Sequence, residues 1–459
     1  MSGPGARLAR LVEPDGFAVT EAARQFAVWM VLDSLTVALA GARMESATVR
    51  AAGATFARYG AAGPAAAFPI GQRLAAPSAA AVNACAVHSI DFDDSYMAGG
   101  VKAHFSASIV PTAFAVGEEE GATGVQVLDA IVRGFEVAAR LGHALSPSVV
   151  ERWHPTGVVG VVGCAAAAAS LLGLSGHAAE MALGLGADHA AGTRFCLASG
   201  DATKSLHAAF AAHDGIVAAR MANDGVAGPT GFLDGLKGFC ETYLGAVPSL
   251  EFRGLDDGRA LIELNCTKFY PVMHALHAAV DVAIGIGIDH PVQGPREIDE
   301  IVVTQSTTHA RFGAYWDPET ELAARLSLPY AVAIAVLERT CGVDQFRRDR
   351  LGEQDFRALL HRVRIEGSDE LESTYGSRVA SSVRVRFADG AIAEGFAVDP
   401  LGFPERPATD AQRLDKAGRL ALRVMPAGGA ELLIDTVRSL PYLEKLTPLT
   451  DLLIRTGTK

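Results

Sequence analysis

REIDEIVVTQSTTHARF, residues 296–312, is where the texture of this chain changes. Ahead of it, apolar residues recur at helical spacing. Here alternation and β-branched residues take over, as in a half-buried strand. A second such stretch, SSVRVRFADGAIAEGFAV (381–398), alternates on both sides of Asp389-Gly390, a two-residue hairpin signal. Between the two lie helical segments, LPYAVAIAVLERT and EQDFRALLHRV, so this region reads as α+β.

Working outward, EAARQFAVWMVLDSLTVALA (21–40) predicts a mostly buried helix, with Asp33 an isolated polar break. Ala-rich segments with short Gly, Pro, Ser or Asp punctuation continue past Gly200, so the first part of the chain reads as all-helical. Helical periodicity returns after Pro400, over 411–424 and 436–446. The predicted fold class is mainly α with an inserted α+β domain. Residues 1–264 and 399–459 form a large helical domain, and 265–398 form a smaller lid domain.

The chain has 459 residues, 49% of them hydrophobic, which is enough for a large core. Its formal net charge of −12, without a Lys/Arg-rich run, excludes nucleic acid as an expected partner. An anionic substrate would then need a local cluster of Lys, Arg or His. Six cysteines lie far apart with no C-x-x-C pair, which points to buried thiols in a reducing compartment. No apolar leader opens the chain, and the Ala-rich stretches are interrupted by polar residues, so a cytoplasmic protein without a membrane partner is expected. Zinc, P-loop and nucleophile-elbow motifs are absent, and the glycines of LGLGADHAAG lack the spacing and preceding strand of a dinucleotide loop. Neither a cofactor nor a metal is therefore expected.

Four segments carry candidate chemistry. HSIDFDDSYMAGGVKAHFSAS (88–108) sets Asp91, Asp93 and Asp94 before Ser95, Lys102 and His104. Carboxylates near a His fix its tautomer for acid–base work, although a solvated helix end would look similar. In RWHPTGVVGVVG (152–163), His154 precedes Pro155 and Thr156 at a helix start, where a His is kept neutral. In SGDATKSLHAAFAAHDG (199–215), Lys204 and His207 stand three apart and share a helical face. NCTKFYPVMHALHAAVD (265–281) brings Lys268, His274 and His277 to the expected domain boundary.

Together with GPTGFLDGLKGF (228–239) and SLPYAVA around Tyr330, these segments resemble the MmgE/PrpD family along almost the whole chain. That family includes 2-methylcitrate dehydratase, cis-aconitate decarboxylase and iminodisuccinate epimerase. The resemblance implies a two-domain subunit, usually a homodimer, with a small polycarboxylate bound between the domains. It points to Asp91, Ser95, His104, His154, Lys204, Lys268, His274 and Tyr330 as site residues. His104, His154, Asp91 and Tyr330 are the implied catalytic set; Ser95, Lys204, Lys268 and His274 are the implied binding set. Three features depart from the family pattern: Ser95 in place of Thr, a longer loop from Ser95 to His104, and Phe105 after His104 in place of Pro. The expected activity is a cofactor-independent lyase working at the carbon beside a carboxylate, with dehydration ahead of decarboxylation. An epimerase, a non-catalytic carboxylate binder and a metal-dependent hydrolase built on the Asp cluster are the alternatives.

Overall fold

The computed structural model describes residues 3–44 and 46–457. The chain divides into two compact units. The first takes the chain up to Phe195, then Ala202–Thr267, then the chain from Thr409; the second takes Cys196–Asp201 and Lys268–Ala408.

The first unit is a pack of helices made of small residues. Its main members are α1 (Glu21–Met44), α2 (Ala76–Val87), α3 (Ser106–Glu120), α4 (Gly124–Leu145), α5 (Gly160–Leu171), α6 (Thr203–Asn223) and α7 (Asp410–Ala421). In α2 every residue but Pro77 is buried, and α5 buries its run from Gly160 to Ala169. A helix apolar on all sides has to be surrounded, and α6 packs on both of them. Small side chains allow the close approach: a Cβ at Gly215 of α6 would stand 2.5 Å from Cys164 Cβ. Two Thr-x-x-Gln capping boxes, Thr123/Gln126 and Thr409/Gln412, start α4 and α7. The second of these begins the returning C-terminal segment.

Several sequence expectations need amending. The first part of the chain is not wholly helical. Ala62–Ala67 (β1) pairs with Gln72–Leu74 (β2), and Ser95–Tyr96 (β3) with Asn265–Cys266 (β4). Gly60 follows the end of the preceding helix, and Gly63 and Pro64 fall within β1 where its register shifts, a stretch that cannot continue a helix. One apolar stretch does reach membrane-spanning length: α1 has a mean hydropathy of 1.5 over its most apolar window, of which 78% is buried within the fold. Residues 436–446 are not one helix. Helices run over Ala427–Arg438 and Thr447–Gly457, separated around Pro441, which supplies no amide hydrogen and disfavours helical backbone before it.

The second unit is built on a four-stranded mixed sheet in the order β6-β5-β7-β8. β5 (Ile298–Ser306) runs parallel to β6 (Val363–Ser368) and antiparallel to β7 (Ala380–Phe387), which pairs with β8 (Ile392–Val398). Val383, Val385 and Phe387 face the core while Arg384 and Arg386 face out, the period-two pattern of the sequence. The β7–β8 connection is a three-residue loop rather than two, because Phe387 N–H donates to Ala391 across residues 388–390 and Gly390 takes a φ of 88°. Helices α8 (His277–Asp289) and α9 (Leu328–Glu338) join the sheet in one apolar core. They precede α7 in the chain and are labelled here after the first unit's helices.

All six cysteines are buried thiols. Burial pushes Cys85 and Cys164 up to about 11, which keeps both as unreactive thiols.

Candidate active site

The apolar length of α2 delivers His88, the residue that ends it, into the interior of the first unit. The chain then turns through Ser89–Asp94, with Asp91 in the left-handed region at a φ of 51°. A non-glycine residue there costs about 1–3 kcal/mol and persists only where its surroundings hold it.

What holds it is a network of buried charges. Lys204, in the first turn of α6, places Nζ 3.2 Å from Asp91 Oδ1 and 3.0 Å from His88 Nε2. A lysine ammonium has donors only, so His88 Nε2 accepts and His88 Nδ1 carries the hydrogen. That hydrogen goes to Asp93 Oδ2 at 2.8 Å. His104 Nδ1 approaches the same carboxylate oxygen at 3.1 Å and the Asp94 carbonyl at 2.8 Å. Both neighbours are acceptors, which puts the hydrogen on Nδ1 and the lone pair of the neutral ring on Nε2. The His104 backbone N–H donates to Thr156 Oγ1 at 3.0 Å.

Two adjacent carboxyl groups are driven in opposite directions. Burial would raise Asp93, but the charges and hydrogen bonds of His88 and His104 hold it well below the usual carboxylate range. Asp94 is pushed well above that range by burial and then by Asp33, while Ser106 Oγ donates to it at 2.6 Å. His88 is lowered to about 3, chiefly by burial.

His154 caps the short helix Pro155–Val158, as expected from the sequence, and its backbone N–H donates to the Gly192 carbonyl at 2.9 Å. Its Nδ1 lies 3.0 Å from His207 Nδ1, so the two rings share one hydrogen. The His154 ring is stacked 5.8 Å from His88, and burial followed by the charge of Lys204 holds it well below its ordinary value.

The structure thus gathers Asp91, His104, His154 and Lys204, together with His88, Asp93 and His207, in one unit. His88 is not among the residues the sequence singles out, although its place at the end of a small-residue, largely apolar helix is a signal of burial. Ser95 is buried on β3, paired with Cys266. In the second unit Lys268 is buried, and His274 is buried beside Phe403, at 4.1 Å between ring centroids. Tyr330 lies in the apolar core against Phe346 and Phe356, and its hydroxyl donates to the Gln345 carbonyl at 2.8 Å.

His88, Asp93 and His104 each offer a ligand atom near enough to share one ion. Ligation through the two Nδ1 atoms would cost the hydrogens they now donate to Asp93. As it stands, the trio is a hydrogen-bonded device that aims an imidazole.

The sequence profile of the MmgE/PrpD N-terminal domain matches residues 8–250, and that of the MmgE/PrpD C-terminal domain matches residues 270–441. The chain belongs to the MmgE/PrpD family. Among its relatives, cis-aconitate decarboxylase of Aspergillus terreus is 26% identical over 406 residues, covering 83% of this chain and 82% of the relative. The cis-aconitate decarboxylase of Mus musculus is 28% identical over 395 residues, covering 83% and 79%, and that of Homo sapiens is 28% identical over 393 residues, covering 83% and 80%. Membership in the MmgE/PrpD family accounts for the two-domain architecture, with a helical part and a small mixed sheet in the C-terminal part.

Proposed function

We propose that this chain is a cofactor-independent lyase acting on a small di- or tricarboxylate by proton transfer at the carbon beside a carboxylate. The observation that carries the reading is His104 held by the ionised Asp93 and the Asp94 carbonyl, next to a second imidazole, His154, kept neutral by burial. One imidazole built to carry charge and one built to stay neutral make an acid and a base of different strength.

In the decarboxylating form, the bond between the departing carboxylate and its carbon breaks. The electron pair is delocalised onto the neighbouring unsaturated carboxylate, and carbon dioxide leaves. His104, neutral at rest with its hydrogen on Nδ1, first takes up a proton on Nε2, its charge balanced by Asp93, and then gives that proton to the carbon. In the dehydrating form, His154 takes the proton from carbon and His104 protonates the departing hydroxyl. The names of the relatives favour the first form. Lys204 supplies fixed positive charge beside the histidines, which favours the anion that develops. Lys268 and His274 are proposed as carboxylate-binding groups. A cytoplasmic homodimer, without nucleic-acid or membrane partners, is part of the same proposal and is checked by sedimentation and fractionation.

The test is proton NMR in deuterated water with 2-methylcitrate, citrate, cis-aconitate, iminodisuccinate and substituted succinates, with and without chelator. A decarboxylated or dehydrated product that forms equally well in chelator supports the reading. Deuterium entry with inversion and an unchanged skeleton would replace it with an epimerase, and activity lost in chelator would point to a metal on the His88–Asp93–His104 trio.

A further inference from the structure

The loop that aims His104 is gripped from behind by residues far away in sequence. Lys416, on α7 of the returning C-terminal segment, is buried. Its Nζ lies 2.6 Å from Asp33 Oδ1, donates to the Phe92 carbonyl at 2.9 Å and stands 4.2 Å from the centroid of the Phe92 ring. Asp33, the lone polar break on α1, also lies against the backbone N–H of Asp94, which favours its charged form. Burial pushes Asp33 upward and the Lys416 charge opposes it, so the carboxylate depends on the lysine. One ion pair therefore holds a carbonyl and an amide of the short turn that carries Asp91, Asp93 and the Asp94 carbonyl. The left-handed Asp91 is a second, independent sign that this turn is held in place rather than relaxed.

We propose that Asp33 and Lys416 are positioning residues whose ion pair fixes the 91–94 turn, so that Asp93 and the Asp94 carbonyl set the tautomer and direction of His104. Lys416 acts through Phe92, and Asp33 through Asp94; neither touches the reacting atoms. The kinetic side of the idea rests on the lyase reading, while the geometric side does not.

Two readouts test it. The first is the 15N NMR of the His104 imidazole in the resting protein, assigned by its disappearance in His104→Gln. The wild type should show the neutral Nδ1–H form, and Lys416→Met a mixture with Nε2–H. The second is turnover. Lys416→Met should lower kcat about 10- to 100-fold, the scale of a misplacement on the order of 1 Å, with KM changed by less than about threefold. Lys416→Arg, which keeps charge and donors, should recover most of kcat.

Removing one partner alone leaves a buried charge that destabilises the fold, so the double variant Asp33→Asn/Lys416→Met, neutral on both sides, decides between clamp and scaffold. If it folds with the wild-type tautomer and with kcat within about twofold of wild type, the pair merely joins two helices and the proposal fails. A folded double variant with a mixed tautomer and reduced kcat supports it. Should the wild type turn over none of the polycarboxylates, the lyase reading falls, and the tautomer measurement still decides the clamp.

Discussion

Two pairs of histidines stand side by side in the helical unit, and they are built on opposite plans. His88 and His104 converge on one oxygen of Asp93, a carboxylate kept ionised by both rings. His154 meets His207 nitrogen to nitrogen, and the charges that bear on it, from Lys204, His88, His207 and His104, are all positive. His88, lowered to about 3 chiefly by burial, stays neutral in the first arrangement as His154 does in the second, and only the first sets a carboxylate against a further ring, His104. In the proposed lyase, acid and base would be told apart by neighbouring charge and not by residue type, which is the same in both places.

The comparison can be broken most severely at Asp93. Asp93→Asn removes the negative charge on which both rings converge and should lower kcat about 10²- to 10⁴-fold, with His104→Gln in the same range. Steady-state kinetics on folded variants checks this, and an Asp93→Asn enzyme within about tenfold of wild type would erase the distinction between the pairs. His154→Gln should cost less in a decarboxylation, about tenfold, since that reaction needs an acid at carbon, whereas in a dehydration it should cost about as much as His104→Gln.

Acid stability sharpens the same contrast. An unfolded His takes up a proton below about pH 6.5, while folded His88 resists until about pH 3. The stability due to neutral His88 is therefore fully present above pH 6.5 and is lost as pH falls toward 3, at up to about 1.4 kcal/mol per pH unit. His154, also held low, acts in the same direction, and Asp93 adds a loss below the ordinary carboxylate range. Asp94, held high, works the other way, since its contribution is lost as pH rises through its folded value. Urea midpoints at pH 7 and pH 5 should show the net loss in wild type and a smaller one in His88→Gln. The smallest effect is expected at Tyr330→Phe: kcat unchanged within about twofold, and about 1 kcal/mol of stability lost with the hydrogen bond to Gln345.

Much of the molecule was legible locally. The all-apolar text of α2 and α5, the alternation of Val383, Val385 and Phe387, and the carboxylate-rich turn before His104 are short-range patterns, and each of them reads directly as packing or chemistry. What stayed hidden depends on contacts across long stretches of chain. Lys416 reaches Phe92 over 324 residues, and nothing local to either one announces the other. Tyr330 enters through the family resemblance, and its sequence surroundings do not show that its hydroxyl donates to the Gln345 carbonyl 15 residues on. The hairpin was one residue longer than its Asp-Gly signal suggests, because Ala388 joins the loop.

The returning segment from Thr409 has a bearing on the order in which the protein is made. The residues proposed to exchange protons, His104 and His154, leave the ribosome before the sheet unit, and the lysine behind their loop leaves only after that unit has been synthesised. Until then Asp33 sits in a growing chain with its partner not yet built, so the proposed clamp can close only after the sheet unit has been made.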